Sequence, residues 1–215
     1  MFGHGFLLSR GEKMSKSVGN VIDPMELAER FGVDAVRYFF LREVPFGQDG
    51  SYSAEAIVNR ANAELANSFG NLAQRTLSMI HKNLGGILPL KGDAPEDRDL
   101  LELVGTAVDR ELSEAFERFA FSVGIEAWLR AVFACNQYVD EMAPWALRKT
   151  DPERMAAVLG TLVVAIRDLT RAIAPIIPES AARLLSLIDA GQGGAPIPQP
   201  TPLFPRLELE EEEAA

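Results

Sequence analysis

Lys13 and Lys16 stand three residues apart in the stretch GEKMSKSVGN, residues 11–20, which also holds Ser15 and Ser17 and has Gly11 and Gly19 at its sides. A glycine-flanked turn of this kind projects two ammonium groups toward one point. The serines add hydroxyls, and the turn adds backbone N–H donors. Such a turn suits a polyphosphate whose charge grows during reaction. It is not a P-loop, because G-x-x-x-x-G-K-[ST] is absent and the lysines precede the following helix rather than open it. The competing reading is a solvated basic turn ahead of a capped helix.

A second group is separated from the first in sequence. Asn71 and Arg75, in NLAQR, are four residues apart and so neighbour each other on one face of a helix. Asn67, Ser78 and Lys82 fall near them, beside an apolar stripe of Val58, Ala61, Leu65, Phe69 and Leu72. In MAPWAL, residues 142–147, Pro144 breaks a helix and fixes the approach of Trp145. Single-stranded bases are read by an aromatic plane that stacks them and by amide or guanidinium groups that bond their edges. Asn supplies both donor and acceptor, and Arg forks onto a base or a phosphate. Two plainer readings stay open: Trp145 as a core filler at the end of a bundle, and Asn71 with Arg75 as an ordinary solvated face. Trp128 lies in the helical apolar pattern IEAWLRAVF and is assigned to the core, as is Cys135.

The elements that must position these residues are mostly helical. Residues 2–8 read as a short strand entering a turn. DPMELAERFG has Asp23 as N-cap, Pro24 at the first helical position, Glu26 in the first turn and Gly32 as stop. A second amphipathic helix follows, with Val33, Val36, Phe39 and Phe40 on its apolar side. PFGQDGSYS breaks it. Ser53 caps a long helix from Ala54 to about Leu84. Further helices are expected from Pro95 to about Phe116, from Phe119 to Met142, from Pro152 to about Ala174, and, shorter, from Pro178. Residues 191–205 are rich in Gly and Pro and read as packed extended chain. The fold class is mainly α: a short mixed α/β segment followed by an antiparallel helical bundle. The expected division is 1–50, 51–207 and an acidic, solvated tail at 208–215.

Composition narrows the function classes. With 215 residues, 47% of them hydrophobic, the chain is long enough to bury a core. A single cysteine excludes an internal disulfide, and His4 and His81 are too few and too far apart for a zinc cluster, so no metal site is expected. The net charge of -10 argues against nucleic-acid binding by bulk charge, but not against a local site that reads a few bases. No signal peptide is visible, and the longest apolar run, around residues 159–166, falls short of a membrane span. A cytoplasmic chain is expected.

The string KMSKS is identical to the signature loop of class I aminoacyl-tRNA synthetases, and GHGFLLSRGEKMSKSVGNVIDP resembles methionyl-tRNA synthetases in particular. The resemblance extends from Phe2 to about Leu207. It implies that the loop residues Lys13, Met14, Ser15, Lys16 and Ser17 bind ATP. Lys13 and Lys16 would act on the phosphates and the leaving pyrophosphate. It also implies that Asn71 and Arg75, with Pro144 and Trp145, read a CAU anticodon. The implied substrates of the full enzyme are ATP with Mg2+, L-methionine, and elongator and initiator tRNA(Met). The family's HIGH-like ATP motif, methionine pocket and zinc knuckle have no counterpart here, and His4 in GHGF reads as a strand residue near the site. The chain is therefore expected to be the C-terminal portion of a longer ligase, inactive alone. PLFPRLE resembles the close of shorter bacterial members, whose last segment packs back on the bundle. Two rival readings are a stand-alone tRNA-binding or regulatory module, and part of a class I synthetase for leucine, isoleucine, valine or cysteine.

Overall fold

The computed structural model describes residues 5–9, 11–17 and 19–209. His4 and residues 210–215 of the acidic tail lie outside the described residues. A three-stranded sheet comes first, in the order β2-β1-β3. Strand β1 (Leu7–Ser9) runs antiparallel to β2 (Glu12–Lys13), with Leu8 opposite Lys13, and parallel to β3 (Gly50–Tyr52), with Leu8 opposite Ser51. The reversal between β1 and β2 is made at Gly11, whose φ of 82° suits glycine. The sequence reading places a strand near residue 8 but treats residues 45–53 as a turn. β3 is only three residues long and carries a glycine, so no alternating apolar pattern marks it.

Helices α1 (Pro24–Phe31) and α2 (Val33–Glu43) form the crossover between β2 and β3. The expected caps are present. Asp23 accepts the Met25 N–H at 2.8 Å, and Gly32 adopts φ 85° between the two helices. On α2 the buried side differs from expectation: Val33 is exposed, while Asp34 and Tyr38 are buried with Val36 and Phe39. Asp34 is satisfied by accepting the N–H groups of Glu179 (3.2 Å) and Ser180 (2.7 Å), so a polar residue caps a distant helix from inside the fold.

The bundle begins with one long helical run: α3 (Ala54–Arg60), a π-helical stretch (Ala61–Gly70) and α4 (Asn71–Asn83). Ser53 caps it, accepting the Ala56 N–H at 3.1 Å. A second run comprises α5 (Pro95–Gly105), a π-helical stretch (Thr106–Leu112) and α6 (Ser113–Glu117). Then come α7 (Phe121–Met142), α8 (Pro144–Thr150), α9 (Pro152–Ile173) and α10 (Pro178–Ala190). Helix α7 starts two residues after the expected Phe119, whose φ of 59° cannot continue a right-handed helix. The chain is thus mainly α, with the small mixed segment leading into the bundle.

The main core joins α4, α5, α7, α9 and α10 around Trp128, Leu159, Leu162 and Ile166. Trp128 is fully enclosed and donates its indole N–H to the Leu169 carbonyl at 3.0 Å, which fits its assignment to the core. Cys135 is equally enclosed, and burial pushes its thiol up to about 12. A smaller cluster, with Leu27, Phe31, Phe39, Ile57 and Val58, sits under α1, α2 and α3. Leu207 and Leu209 pack against that cluster, so the first residues of the acidic end are seated on the fold.

Helix α2 ties the mixed segment to the bundle. Buried Glu64, in the first π-helical stretch, accepts from Tyr38 Oη at 2.7 Å, Arg60 Nη1 at 2.7 Å and Arg42 Nε at 3.4 Å. Arg42 also pairs with Glu126 of α7. Burial, with Glu64 alongside, raises the Tyr38 phenol well above its ordinary value. Arg37 donates to the carbonyls of Pro175 (2.7 Å) and Ile176 (3.2 Å). These polar bonds fix the direction in which the long helical run leaves the sheet.

Candidate functional site

The lysine loop is an ordered turn whose cations are exposed. Lys13 ends β2, and its Nζ lies 5.7 Å from the centre of the exposed Phe6 ring. Lys16 and Ser17 are exposed, while Met14 and Ser15 are half-buried. Asn20 closes the loop. Its Oδ1 accepts the Ser15 N–H at 2.8 Å, and its Nδ2 donates to the Lys13 carbonyl at 3.2 Å. The Gly19 N–H donates to the Ser15 carbonyl at 3.1 Å, with Gly19 at φ 75°. Ser15 and Ser17 share a hydrogen bond between their hydroxyls, 2.7 Å apart. The two serines therefore shape the loop, and the two lysines are left on its outer side. At the tip, the Gly11 N–H donates to Ser51 Oγ of β3 at 2.9 Å, which fastens the loop to the sheet. Sequence reasoning does not single out Asn20. Its signal is its place just after the second flanking glycine, where Asn commonly bonds nearby backbone.

The second site is an exposed corner of the bundle. Trp145 is 50% exposed, which removes the reading of it as a core filler. It occupies the second position of α8, after Pro144, whose ring is buried. Ala143 between α7 and α8 adopts the left-handed region (φ 42°, ψ 58°), and this sharp corner swings the indole outward. The sequence reading places a break here but no helix. α8 has seven residues and too little periodicity to announce itself.

Arg75 projects from α4 so that its guanidinium carbon lies 5.6 Å from the centre of the Trp145 ring. Arg75 Nη2 also reaches Asp140 Oδ1, at 3.3 Å, on the last turns of α7. Asn71, one turn before Arg75, is exposed, and it borders a groove of about 420 Å³ with Asn67, Gln74, Phe204 and Arg206. The structure thus brings Arg75 against Trp145 from helices far apart in sequence, with Asn71 one turn before Arg75 on α4 and Pro144 just before Trp145 on α8. It adds Asp140, which sequence reasoning misses. Asp140 has no motif of its own, and its pairing across helices is set by packing. Ser78 is less available than expected. It is half-buried and accepts from Gln74 Nε2 at 3.2 Å.

Chemically, one site presents two exposed cations on a glycine-flanked turn, and the other a half-exposed aromatic plane flanked by a guanidinium, with an amide one helical turn from that guanidinium. The second arrangement can hold an unpaired base by stacking while its edge is bonded. Over residues 92–201 the chain matches the anticodon binding domain of methionyl tRNA ligase. The chain belongs to the methionyl-tRNA synthetase family. Residues 1–77 match the class I tRNA synthetase family described as "tRNA synthetases class I (M)". The methionine–tRNA ligase of Brucella melitensis is 48% identical over 221 residues, an alignment covering 96% of this chain and 43% of that protein. That of Mycobacterium leprae is 43% identical over 233 residues, covering all of this chain and 43% of that protein. Among solved structures, Mycobacterium tuberculosis methionyl-tRNA synthetase in complex with methionyl-adenylate superposes with a TM-score of 0.86 at 45% identity, covering 94% of this chain and 43% of that one.

The chain spans 43% of the length of these methionyl-tRNA synthetases. Among the described residues no group of three or more His, Cys, Asp or Glu side chains gathers as a metal site. None of the described helices is long and apolar enough to cross a membrane.

Proposed function

We propose that this chain is the C-terminal part of a methionine–tRNA ligase, contributing a lysine loop to ATP-dependent methionine activation and a helical bundle that reads the CAU anticodon of elongator and initiator tRNA(Met) in the cytoplasm. In this reading residues 1–50 form the loop and stem-contact segment, 51–207 the anticodon-binding bundle, and 208–215 the acidic tail. The observation that carries it is the corner where the Arg75 guanidinium sits 5.6 Å over a half-exposed Trp145 ring, with Asn71 one helical turn away.

Trp145 stacks one anticodon base on its open face. Asn71 offers a donor and an acceptor to a base edge, and Arg75 supplies a charged fork. Lys13 and Lys16, with Met14, Ser15 and Ser17 shaping the turn, would bind the phosphates of ATP supplied as its Mg2+ complex. There they stabilise the charge that develops on the departing pyrophosphate as L-methionine becomes an adenylate. The Asn20 bonds keep the loop in one shape, so the lysines are positioned before reaction. The remaining ATP and methionine contacts come from outside these 215 residues, and the chain alone does not form the adenylate. A non-catalytic module, or part of a synthetase for another amino acid, would give no reason for the lysine loop and this corner to occur together.

The test is titration of labelled RNA stem-loops with the chain at one fixed salt concentration, since salt alone moves such affinities. A CAU loop is expected to bind about 5- to 150-fold tighter than one with its first base changed, the value of one lost base contact of about 1–3 kcal/mol. Equal binding of both loops would overturn the anticodon reading.

A further inference from the structure

Behind the Trp145 corner lies a buried polar network that neither site uses directly. Asp97, in the first turn of α5, is fully enclosed. Its Oδ1 accepts from Tyr138 Oη of α7. Its Oδ2 accepts from Arg154 Nη1 of α9 at 2.5 Å and from the Ala94 N–H at 3.0 Å. The backbone beside it leaves room for nothing else: a Cβ on Gly92 would stand 2.0 Å from Asp97 Oδ2. Arg154 Nη2 then reaches Met142 Sδ at 3.5 Å. Met142 is the last residue of α7, immediately before left-handed Ala143 and Pro144. At the other end of α8, Asp151 donates its N–H to the Leu147 carbonyl at 2.8 Å, and its side chain accepts the Arg154 N–H at 2.9 Å.

Two features tie this network to the exposed corner. Tyr138 and Met142 are four residues apart and share the inner face of α7, whereas Asp140, halfway between them, points outward to Arg75. One helical turn therefore carries the network on one side and the Arg75 partner on the other. Second, a non-glycine residue at φ 42° is held only where its surroundings over-determine it. Here Met142, just before the corner, is held by the Arg154 guanidinium, and Asp151, beyond the far end of α8, by the Arg154 N–H. A buried ion pair is a poor source of net stability compared with apolar packing, but it fixes geometry.

We propose that Asp97, Tyr138 and Arg154 are positioning residues for anticodon recognition: they hold the last turn of α7 and the start of α8 so that Trp145 and Asp140 meet Arg75 in binding-ready geometry. The proposal rests on the reading of Trp145 as a base-stacking platform.

Asp97→Asn disturbs a fully enclosed carboxylate and is a poor probe on its own, because folding suffers with it. Tyr138→Phe keeps the ring and removes one hydroxyl. The experiment is a double-mutant cycle on the whole chain, with a labelled CAU stem-loop as probe. It runs well below the melting temperature of every variant and compares wild type, Tyr138→Phe, Trp145→Ala and the double variant. Tyr138→Phe is expected to weaken CAU binding about fivefold, the scale of one hydrogen bond. In the Trp145→Ala background the same change is expected to have a clearly smaller effect, because the ring it positions is gone and only the Asp140–Arg75 contact is left to disturb. An equal loss in both backgrounds, or no loss in either, overturns the positioning role while leaving the anticodon reading intact. Absence of CAU preference in wild type overturns both, and that result is separately visible.

Discussion

Replacing Arg75 by Ala separates binding from folding more sharply than any other change at the corner. In the free chain Arg75 makes two weak interactions: an exposed ion pair with Asp140 at 3.3 Å and a cation–π contact with Trp145 at 5.6 Å. The Arg75 side chain is 38% exposed and that of Asp140 66%, so solvent screens the pair. Exposed pairs of this kind contribute about 0.2–1 kcal/mol and exposed cation–π contacts about 0.5–1 kcal/mol. The folding loss is therefore about 1 kcal/mol, a drop of roughly 2–4 °C in Tm for a chain of this size. Binding loses more. A guanidinium bonded to a base or phosphate contributes about 1.5–3 kcal/mol, so CAU stem-loop affinity falls roughly 10- to 150-fold. Fluorescence anisotropy of a labelled stem-loop at fixed salt measures the binding loss, and thermal melting of the same samples measures the folding loss. If Arg75→Ala binds the CAU loop within about twofold of wild type, the guanidinium faces no RNA and the assignment of this corner fails. If affinity and Tm fall together by large amounts, Arg75 is a structural brace instead.

Two other outcomes are expected. In an enzyme completed with the ATP- and methionine-binding half, Lys16→Ala lowers the rate of methionine-dependent ATP–pyrophosphate exchange by about 10²–10³ with little change in methionine affinity, and near-normal exchange would remove Lys16 from the mechanism. In the chain itself, burial by itself raises Asp97, but the hydrogen bonds from Arg154, Tyr138 and the Ala94 N–H outweigh it and hold the carboxyl below its ordinary value. A folded-state value below the unfolded one, about 3.9, means stability that is present above that pH and lost as the pH falls through the folded value. The Tm difference between wild type and Asp97→Asn is therefore expected to shrink below about pH 4, and a constant difference down to about pH 2.5 would exclude the linkage.

Legibility from sequence followed the range of the physics. Helix starts at Pro24, Ala54, Pro152 and Pro178 were readable because caps and prolines act within a few residues. The shared face of Asn71 and Arg75 on α4 was readable because a helix repeats every 3.6 residues. The core status of Trp128 followed from the apolar pattern around it. What was not readable depends on distant partners. Asp34 looks like a surface residue of a helix start, yet it caps α10 about 145 residues later. Asp140 looks like one more solvated carboxylate until α4 is packed beside α7. The short β3 and α8 escape notice because three and seven residues hold too little pattern to register.

The π-helical stretch at residues 61–70 shows why the long helix had to be seen in three dimensions. A strict α-helix carries its apolar stripe from Val58 through Leu72 at a constant turn of about 100° per residue. In the structure the Asn71 backbone N–H donates back to the Ala66 carbonyl, five residues earlier. Each such turn holds an extra residue and rotates everything after it relative to everything before it. Residues before the stretch pack under α1 and α2, where the lysine loop's sheet is anchored. Residues after it pack in the main core, and Asn71 begins the rotated part. The start of the stretch is pinned by Glu64 with Tyr38, Arg42 and Arg60. The extra residues and that buried carboxylate together set the angle at which Asn71 and Arg75 leave the helix. The orientation of Asn71 and Arg75 is thereby tied to residues that themselves face the mixed α/β segment, so one continuous helical run connects the sheet that carries the lysine loop to the Trp145 corner.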